Sequence, residues 1–224
     1  MSSRDVVLRR VREALGHAGS ASGEPAAAES VTSEAAEYRR VGELDAEARA
    51  DLFAERAAEY RVRVRRVERD GLPSAIRAEL EAHGVRTAVA PADVPEAWRV
   101  AGVHWRLDGA PGSGGLLDTR ALDATDAVVT GCALAVAETG SLVFDGGERQ
   151  GRRLLTLLPD LHLCVVREDQ VVQTVPEAVT GSEDAARRGA PITWVSGPSA
   201  TSDIELERVE GVHGPRTLIV LLVR

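Results

Sequence analysis

Gly131 to Asp145 read GCALAVAETGSLVFD, a run of small apolar residues that meets one carboxylate, Glu138, followed at once by Thr139, Gly140 and Ser141. The preceding DAVVT, Asp126 to Thr130, reads as a strand ending at Gly131. Cys132 to Ala137 reads as a second, buried strand and Leu142 to Phe144 as a third, closed by the turn Asp145-Gly146-Gly147. Glu138 is therefore expected between two apolar strands. An ionised acid there is costly unless amides, hydroxyls or a cation hold it. Two readings follow: Glu138 caps the turn through the amides and hydroxyls of Thr139 and Ser141, or it is a working acid.

Working outward, strand and helix patterns alternate. Upstream, Asp45 to Glu59 carries one apolar face (Leu44, Ala48, Leu52, Phe53, Ala57), and Arg61 to Val67 alternates with period two as a half-exposed strand. Pro73 to His83 reads as a helix stopping at Gly84, Val85 to Ala90 as a strand, Val94 to Trp98 as a short helix and Val100 to Trp105 as a strand. Downstream, LLTLLP predicts a helix ending at Pro159, Leu161 to Val166 a strand, Val172 to Arg188 a largely helical segment and Ile192 to Val195 a strand. Leu218 to Val223 (LIVLLV) is apolar on both faces and predicts a central, fully buried strand. The rhythm predicts an α/β fold: an open, largely parallel sheet flanked by helices.

The N-terminus differs in kind. From Ser3 an arginine-rich helix with Val7, Leu8, Val11 and Leu15 at helical spacing runs to Gly16, and Ala18 to Ser33 is an Ala/Ser/Gly/Glu linker too poor in apolar residues to order itself. The expected division is an N-terminal helical arm with a flexible linker, residues 1–33, and an α/β domain, residues 34–224.

Composition narrows the function. The 224 residues carry a net charge of −8 with pI about 5.2, and the arginines are dispersed among acids, so no basic stripe offers itself to nucleic acid. All 27 basic residues are arginine, which excludes a P-loop lysine, a Schiff-base lysine and a pyridoxal-phosphate anchor. Cys132 and Cys164 both fall in apolar runs and match no zinc or cluster spacing, so buried reduced thiols are expected, with no iron–sulfur cluster in this chain. The histidines show no metal-ligand spacing, and no metal is expected. No apolar run approaches the roughly 18 residues of a membrane span, and MSSRDVVLRRVREAL lacks the apolar core of a signal peptide. A cytoplasmic protein is predicted.

Three loops invite chemistry. Leu107 to Gly115 (LDGAPGSGG) is glycine-rich, but without GxGxxG or GxxxxGK spacing it reads as a flexible connection. Ser196 to Glu205 (SGPSATSDIE) follows a strand, and its hydroxyls and amides, with Gly197, Ser199 and Thr201, would accept an anion at a strand end. The alternative is that Ser202 or Asp203 only caps a helical turn. Gly211 to Pro215 (GVHGP) places His213 between glycines, next to Gly214, where it is free for a polar contact or proton transfer. His162, inside a strand, reads as structural. If the Glu138 turn and these two loops lie at strand C-terminal ends, they line one pocket, with Arg153 as the cation for a small carboxylate or phosphate.

GCALAVAETGSLVF, RRLLTLLPDLHLCVV, SGPSATSDIE and GVHGPRTLIVLLV together resemble the successive signatures of the lactate utilization protein C family (LutC/YkgG), whose members consist of a LUD domain. The resemblance covers Asp126 to Arg224. It implies a fold similar to the NagB/RpiA/CoA-transferase-like superfamily and a role in oxidising L-lactate to pyruvate beside iron–sulfur partner subunits. One departure stands out: Ala200 occupies the place where the family loop is expected to carry an arginine, and Ser202 that of an alanine. An arginine there would be a bidentate anion donor, so Arg152, Arg153 or Arg216 would have to replace it. The other functional class is a stand-alone enzyme that acts on a small anionic metabolite through Glu138, by analogy of fold alone.

Overall fold

The computed structural model describes residues 41–109, 115–198, 200–201, 209–210 and 214–224, with Val7, Arg9, Arg10 and Glu13. The chain divides into two units, Met1–Tyr38 and Arg39–Arg224. In the first, the four described residues are helical. The rest of the predicted arm and linker lies outside the described residues.

In the second unit, helix α1 (Ala46–Glu59) starts where Asp45 accepts a hydrogen bond from the Ala48 amide at 2.8 Å. Ala50, Phe53 and Ala57, at helical spacing, form its buried side. Then come β1 (Arg63–Val67), α2 (Leu72–Ala82), β2 (Thr87–Pro91), β3 (His104–Asp108), α3 (Thr119–Asp123) and β4 (Ala127–Thr130). The central stretch supplies β5 (Leu134–Val136) and β6 (Ser141–Phe144). They are followed by β7 (Leu161–Arg167), β8 (Val171–Val172), α4 (Val175–Gly181), α5 (Glu183–Arg187), β9 (Thr193–Val195), β10 (Ala200–Thr201), β11 (Val209–Glu210) and β12 (Thr217–Val223).

Six strands form a wholly parallel sheet in the order β1-β12-β7-β4-β2-β3. β12 lies between β1 and β7, and Leu218 to Val223 are all buried, as the unbroken apolar run predicts. Each such side chain contributes roughly 1.5–3 kcal/mol of burial. On one face α2 packs Ala75, Ile76 and Leu80 against Val129, Leu163, Val165, Ile219 and Leu221. On the other, Phe53 and Ala57 of α1 share a core with Cys164, Val166, Val220 and Leu222.

The central stretch stands outside this sheet. β5 and β6 form an antiparallel hairpin within a second sheet, β8-β5-β6-β9, and Ala135, Leu142 and Phe144 join the core of the α1 face. Four local expectations shift. The strand predicted over Val100 to Trp105 begins at His104, because Gly102 at φ 92° turns the chain first. Cys132 belongs to no strand: its carbonyl and that of Ala133 accept from Gln170 Nε2, at 2.7 and 3.1 Å, a side chain in place of a neighbouring strand. The predicted helix from Val172 opens instead as β8, where Val171 and Val172 pair with Ala135 and Val136, and α4 starts at the Thr174–Glu177 capping box. The segment expected to be helical before Pro159 is a single 3-10 turn, Arg153–Thr156.

Candidate functional site

Between β5 and β6 the chain makes a 3-10 turn, Ala137–Thr139, and Gly140 takes a left-handed conformation at φ 61°. Glu138 is half-buried there. Its amide donates to the Gln173 carbonyl at 3.0 Å, and Gln173 Nε2 donates to Glu138 Oε1 at 3.3 Å. Gln173, itself buried, also accepts from the Leu44 amide at 2.8 Å through Oε1. The acid is thus tied to the segment entering α1 and the segment entering α4. Gln173 is the partner that the sequence reading missed, because only the capping box beside it, Thr174 to Glu177, is visible locally.

The hydroxyls of the turn point to the loop after β9. Thr139 Oγ1 donates to Ser141 Oγ at 2.9 Å, and Ser141 Oγ lies 2.6 Å from Ser196 Oγ. Both neighbouring glycines press on the end of α1: a Cβ on Gly140 would stand 2.4 Å from the Ala57 nitrogen, and one on Gly197 (φ 88°) 2.8 Å from the Tyr60 carbonyl oxygen. The structure therefore brings Glu138, Thr139, Gly140, Ser141, Ser196 and Gly197 into one neighbourhood. Thr201 lies in β10, paired with Val209 of β11. Gly214 precedes β12 and so stands at a strand's N-terminal end, contrary to the expected C-terminal placement. Ser199 and His213 lie outside the described residues.

The arginines expected to supply the cation have other partners. Arg152 Nε and Nη2 bond Asp108 Oδ2 and Oδ1 at 2.8 and 3.0 Å, and Nη2 also donates to the Leu117 carbonyl. The hydrogen bonds that Arg152 donates to the Asp108 carboxylate push its pKa up. Arg216 faces Asp160 at 3.5 Å. Arg153 Nη1 donates to Thr156 Oγ1 at 2.8 Å, and desolvation lowers its pKa. His162, whose Nε2 is 2.7 Å from Thr130 Oγ1 and whose ring tilts against Phe144, has its pKa pushed down to about 3 by burial, with the Arg153 charge adding to it. It is a neutral structural residue. Cys132 and Cys164 are free and buried, and burial raises the Cys164 pKa well above its ordinary value.

A separate cavity of about 840 Å³ opens at the C-terminal ends of the parallel strands. Gly131 and Cys132 after β4, Arg167 at the end of β7, and Val223 and Arg224 at the end of β12 line it. Ala133 and Leu134 line it too, so β5 starts at the cavity and runs away toward Glu138. At roughly 3.3 Å per residue the acid is about 13 Å along the chain from Leu134. Glu138, Ser141, Ser196 and Arg153 are not among the residues that line this cavity. Among the described residues, no group of three or more His, Cys, Asp or Glu side chains is placed to hold a metal ion.

The architecture defines an α/β protein in which a parallel sheet carries a second, hairpin-built sheet on one face. A family model described as the LUD domain matches residues 117–223. Lactate utilization protein C of Deinococcus radiodurans is 47% identical over 171 residues, 76% of this chain and 77% of the relative. The uncharacterized protein YkgG of Escherichia coli K12 is 34% identical over 92 residues, 39% of each chain. The crystal structure of a DUF162 family protein from Deinococcus radiodurans superposes with a TM-score of 0.70 at 40% identity, covering 81% of this chain and 100% of that one. The chain belongs to the lactate utilization protein C family and carries its LUD domain.

Proposed function

We propose that this chain works in lactate utilization, as a non-redox subunit of a cytoplasmic complex that oxidises L-lactate to pyruvate beside iron–sulfur partner subunits. The observation that carries the reading is the 47% identity, over three-quarters of both chains, to a protein named lactate utilization protein C. Converting lactate to pyruvate releases two electrons and two protons, and the electrons need a carrier. The sequence has two cysteines, both in the core, while a cluster needs about four thiolate ligands. Partner subunits would supply them. In this proposal the fold is similar to that of the NagB/RpiA/CoA-transferase-like superfamily. The Glu138–Ser141 turn with Ser196 and Gly197 would offer the polar surface for a small carboxylate or phosphate, with Arg153 as its cation.

The test is purification from cells grown on lactate. The chain should elute with iron–sulfur subunits, and lactate oxidation should reside in the assembly. Turnover of a small anionic metabolite by the isolated chain, lost in Glu138→Gln, would replace the subunit reading with a stand-alone enzyme.

A further inference from the structure

We infer that the cavity at the C-terminal ends of β4, β7 and β12 binds an organic acid, holding its anionic head at Arg149 and its apolar body against Leu72 and Trp98. Among the described residues, two other than glycine take positive φ, Arg61 at 64° and Arg149 at 61°. Arg61 follows the C-cap Tyr60 of α1, where left-handed backbone is the ordinary helix stop. Arg149 ends no helix. It is held in that conformation from both sides: its amide donates to Asp93 Oδ2 at 2.7 Å, and its carbonyl accepts from the Gly131 amide at 2.7 Å. The loop around it is locked as well. Gln150 accepts from the Asp145 amide at 2.8 Å and donates to Asp145 Oδ1 at 2.7 Å, and the Gly147 amide donates to the same oxygen at 2.9 Å.

Left-handed backbone is disfavoured for an L-residue by the clash of its Cβ with the backbone, which glycine avoids. The same loop uses glycine for that conformation at Gly146 and Gly151, yet it places an arginine at position 149. The arginine's charge serves no internal purpose, because its guanidinium has no ion pair or hydrogen bond among the described residues. The cavity's Arg167 and Arg224, by contrast, pair with Asp169 and with Glu168 and Glu47. A disfavoured backbone kept for an unused cation is the pattern of a ligand contact. Arg69, the second cavity cation without an ion pair among the described residues, borders Leu72. A volume of about 840 Å³ exceeds what a three-carbon acid fills, and the apolar wall suits a longer chain behind the head.

This site is distinct from the Glu138 turn, and its test needs neither partner subunits nor turnover. The full chain is titrated with hexanoate and hexyl phosphate, with acetate and inorganic phosphate as heads without bodies, and with chloride at equal ionic strength. Affinity is read by calorimetry and melting temperature by thermal unfolding. Hexanoate or hexyl phosphate should bind at least tenfold tighter than the bare heads, and which of the two wins identifies a carboxylate or a phosphate ligand. Arg149→Asn, which keeps a residue tolerant of left-handed backbone, should lose at least tenfold in affinity while its ligand-free melting temperature stays level or rises. Arg149→Gly, better still at that φ, should do the same. Arg188→Gln, exposed and away from the cavity, should bind as the unaltered chain does. Equal binding of bare heads and long acids, unchanged binding by both Arg149 variants, or a lower melting temperature of both variants without ligand would overturn the proposal.

Discussion

Ser141 Oγ and Ser196 Oγ stand 2.6 Å apart across 55 positions of sequence, because antiparallel pairing of β6 with β9 sets Leu142 opposite Val195 and so brings the start of one strand to the end of the other. Strand register, a property of the whole sheet, thus decides which hydroxyls meet beside Glu138. The two glycines that follow this register, Gly140 and Gly197, let the paired loops close on the last turn of α1.

Gly140→Ala should destabilise the protein by about 2–4 kcal/mol, the sum of a strained left-handed backbone and a forced shift of α1. Its Cβ would fall 2.4 Å from the Ala57 nitrogen and 2.6 Å from the Arg56 carbonyl carbon, and backbone yields little. Urea denaturation checks the figure; a loss under 1 kcal/mol would mean that the turn separates from the helix freely.

Arg152→Gln leaves the Asp108 carboxylate, 2% exposed, without its cation. Breaking such a pair costs about 3–5 kcal/mol when both partners are buried, and about 2–4 here because Arg152 is 27% exposed. Adding Asp108→Leu should recover part of the loss. If the double variant is no better than the single one, the damage lies in the Leu117 contact and not in the orphaned charge.

Stability should fall as the pH drops below about 6.5, the ordinary histidine value. His162 in the folded chain titrates near 3, so between those values the unfolded chain binds a proton that the folded chain refuses. The contribution is lost with acidification at up to about 1.4 kcal/mol per pH unit. His162→Leu should flatten the stability profile between pH 7.5 and 5. At pH 8 it should cost about 1–3 kcal/mol, because Thr130 Oγ1 loses its buried partner. An unchanged slope in the variant would assign the acid sensitivity to other groups.

Glu138→Gln preserves an oxygen for the Gln173 amide while removing the charge. Stability should stay within about 1 kcal/mol, while lactate-dependent growth of a complemented strain should be abolished. A large stability loss with growth declining only in step would make Glu138 a bracing residue for the entry to α1.

Deletion of residues 1–33 should leave a cooperative thermal transition, since every described strand falls within Arg39–Arg224. Calorimetry of the shortened chain checks this, and loss of the transition would show that the arm is part of the core.

Much of the architecture is written in local pattern. The apolar period of α1, the six-residue run of β12 and the acid between two short strands each follow from a few neighbouring residues, and burial makes such patterns binding. The candidate site was legible only in part: Glu138, its hydroxyl neighbours and Ser196 stand together, but Gln173, which fastens the acid, carries no signal beyond the helix cap beside it. Arg152 looks as free in sequence as Arg149 does.

The sequence by itself determined that α1 and α2 are helices, that β12 is central and buried, and that its 27 basic residues include no lysine, because these depend on residue type and short-range period. Only the tertiary structure decided that the Glu138 hairpin forms a second sheet, that Asp108 claims Arg152 across 44 positions, and that Arg149 lines the cavity. Those outcomes depend on strand register and on a backbone angle fixed by Asp93 and Gly131, contacts between segments far apart in sequence whose partners no local pattern names.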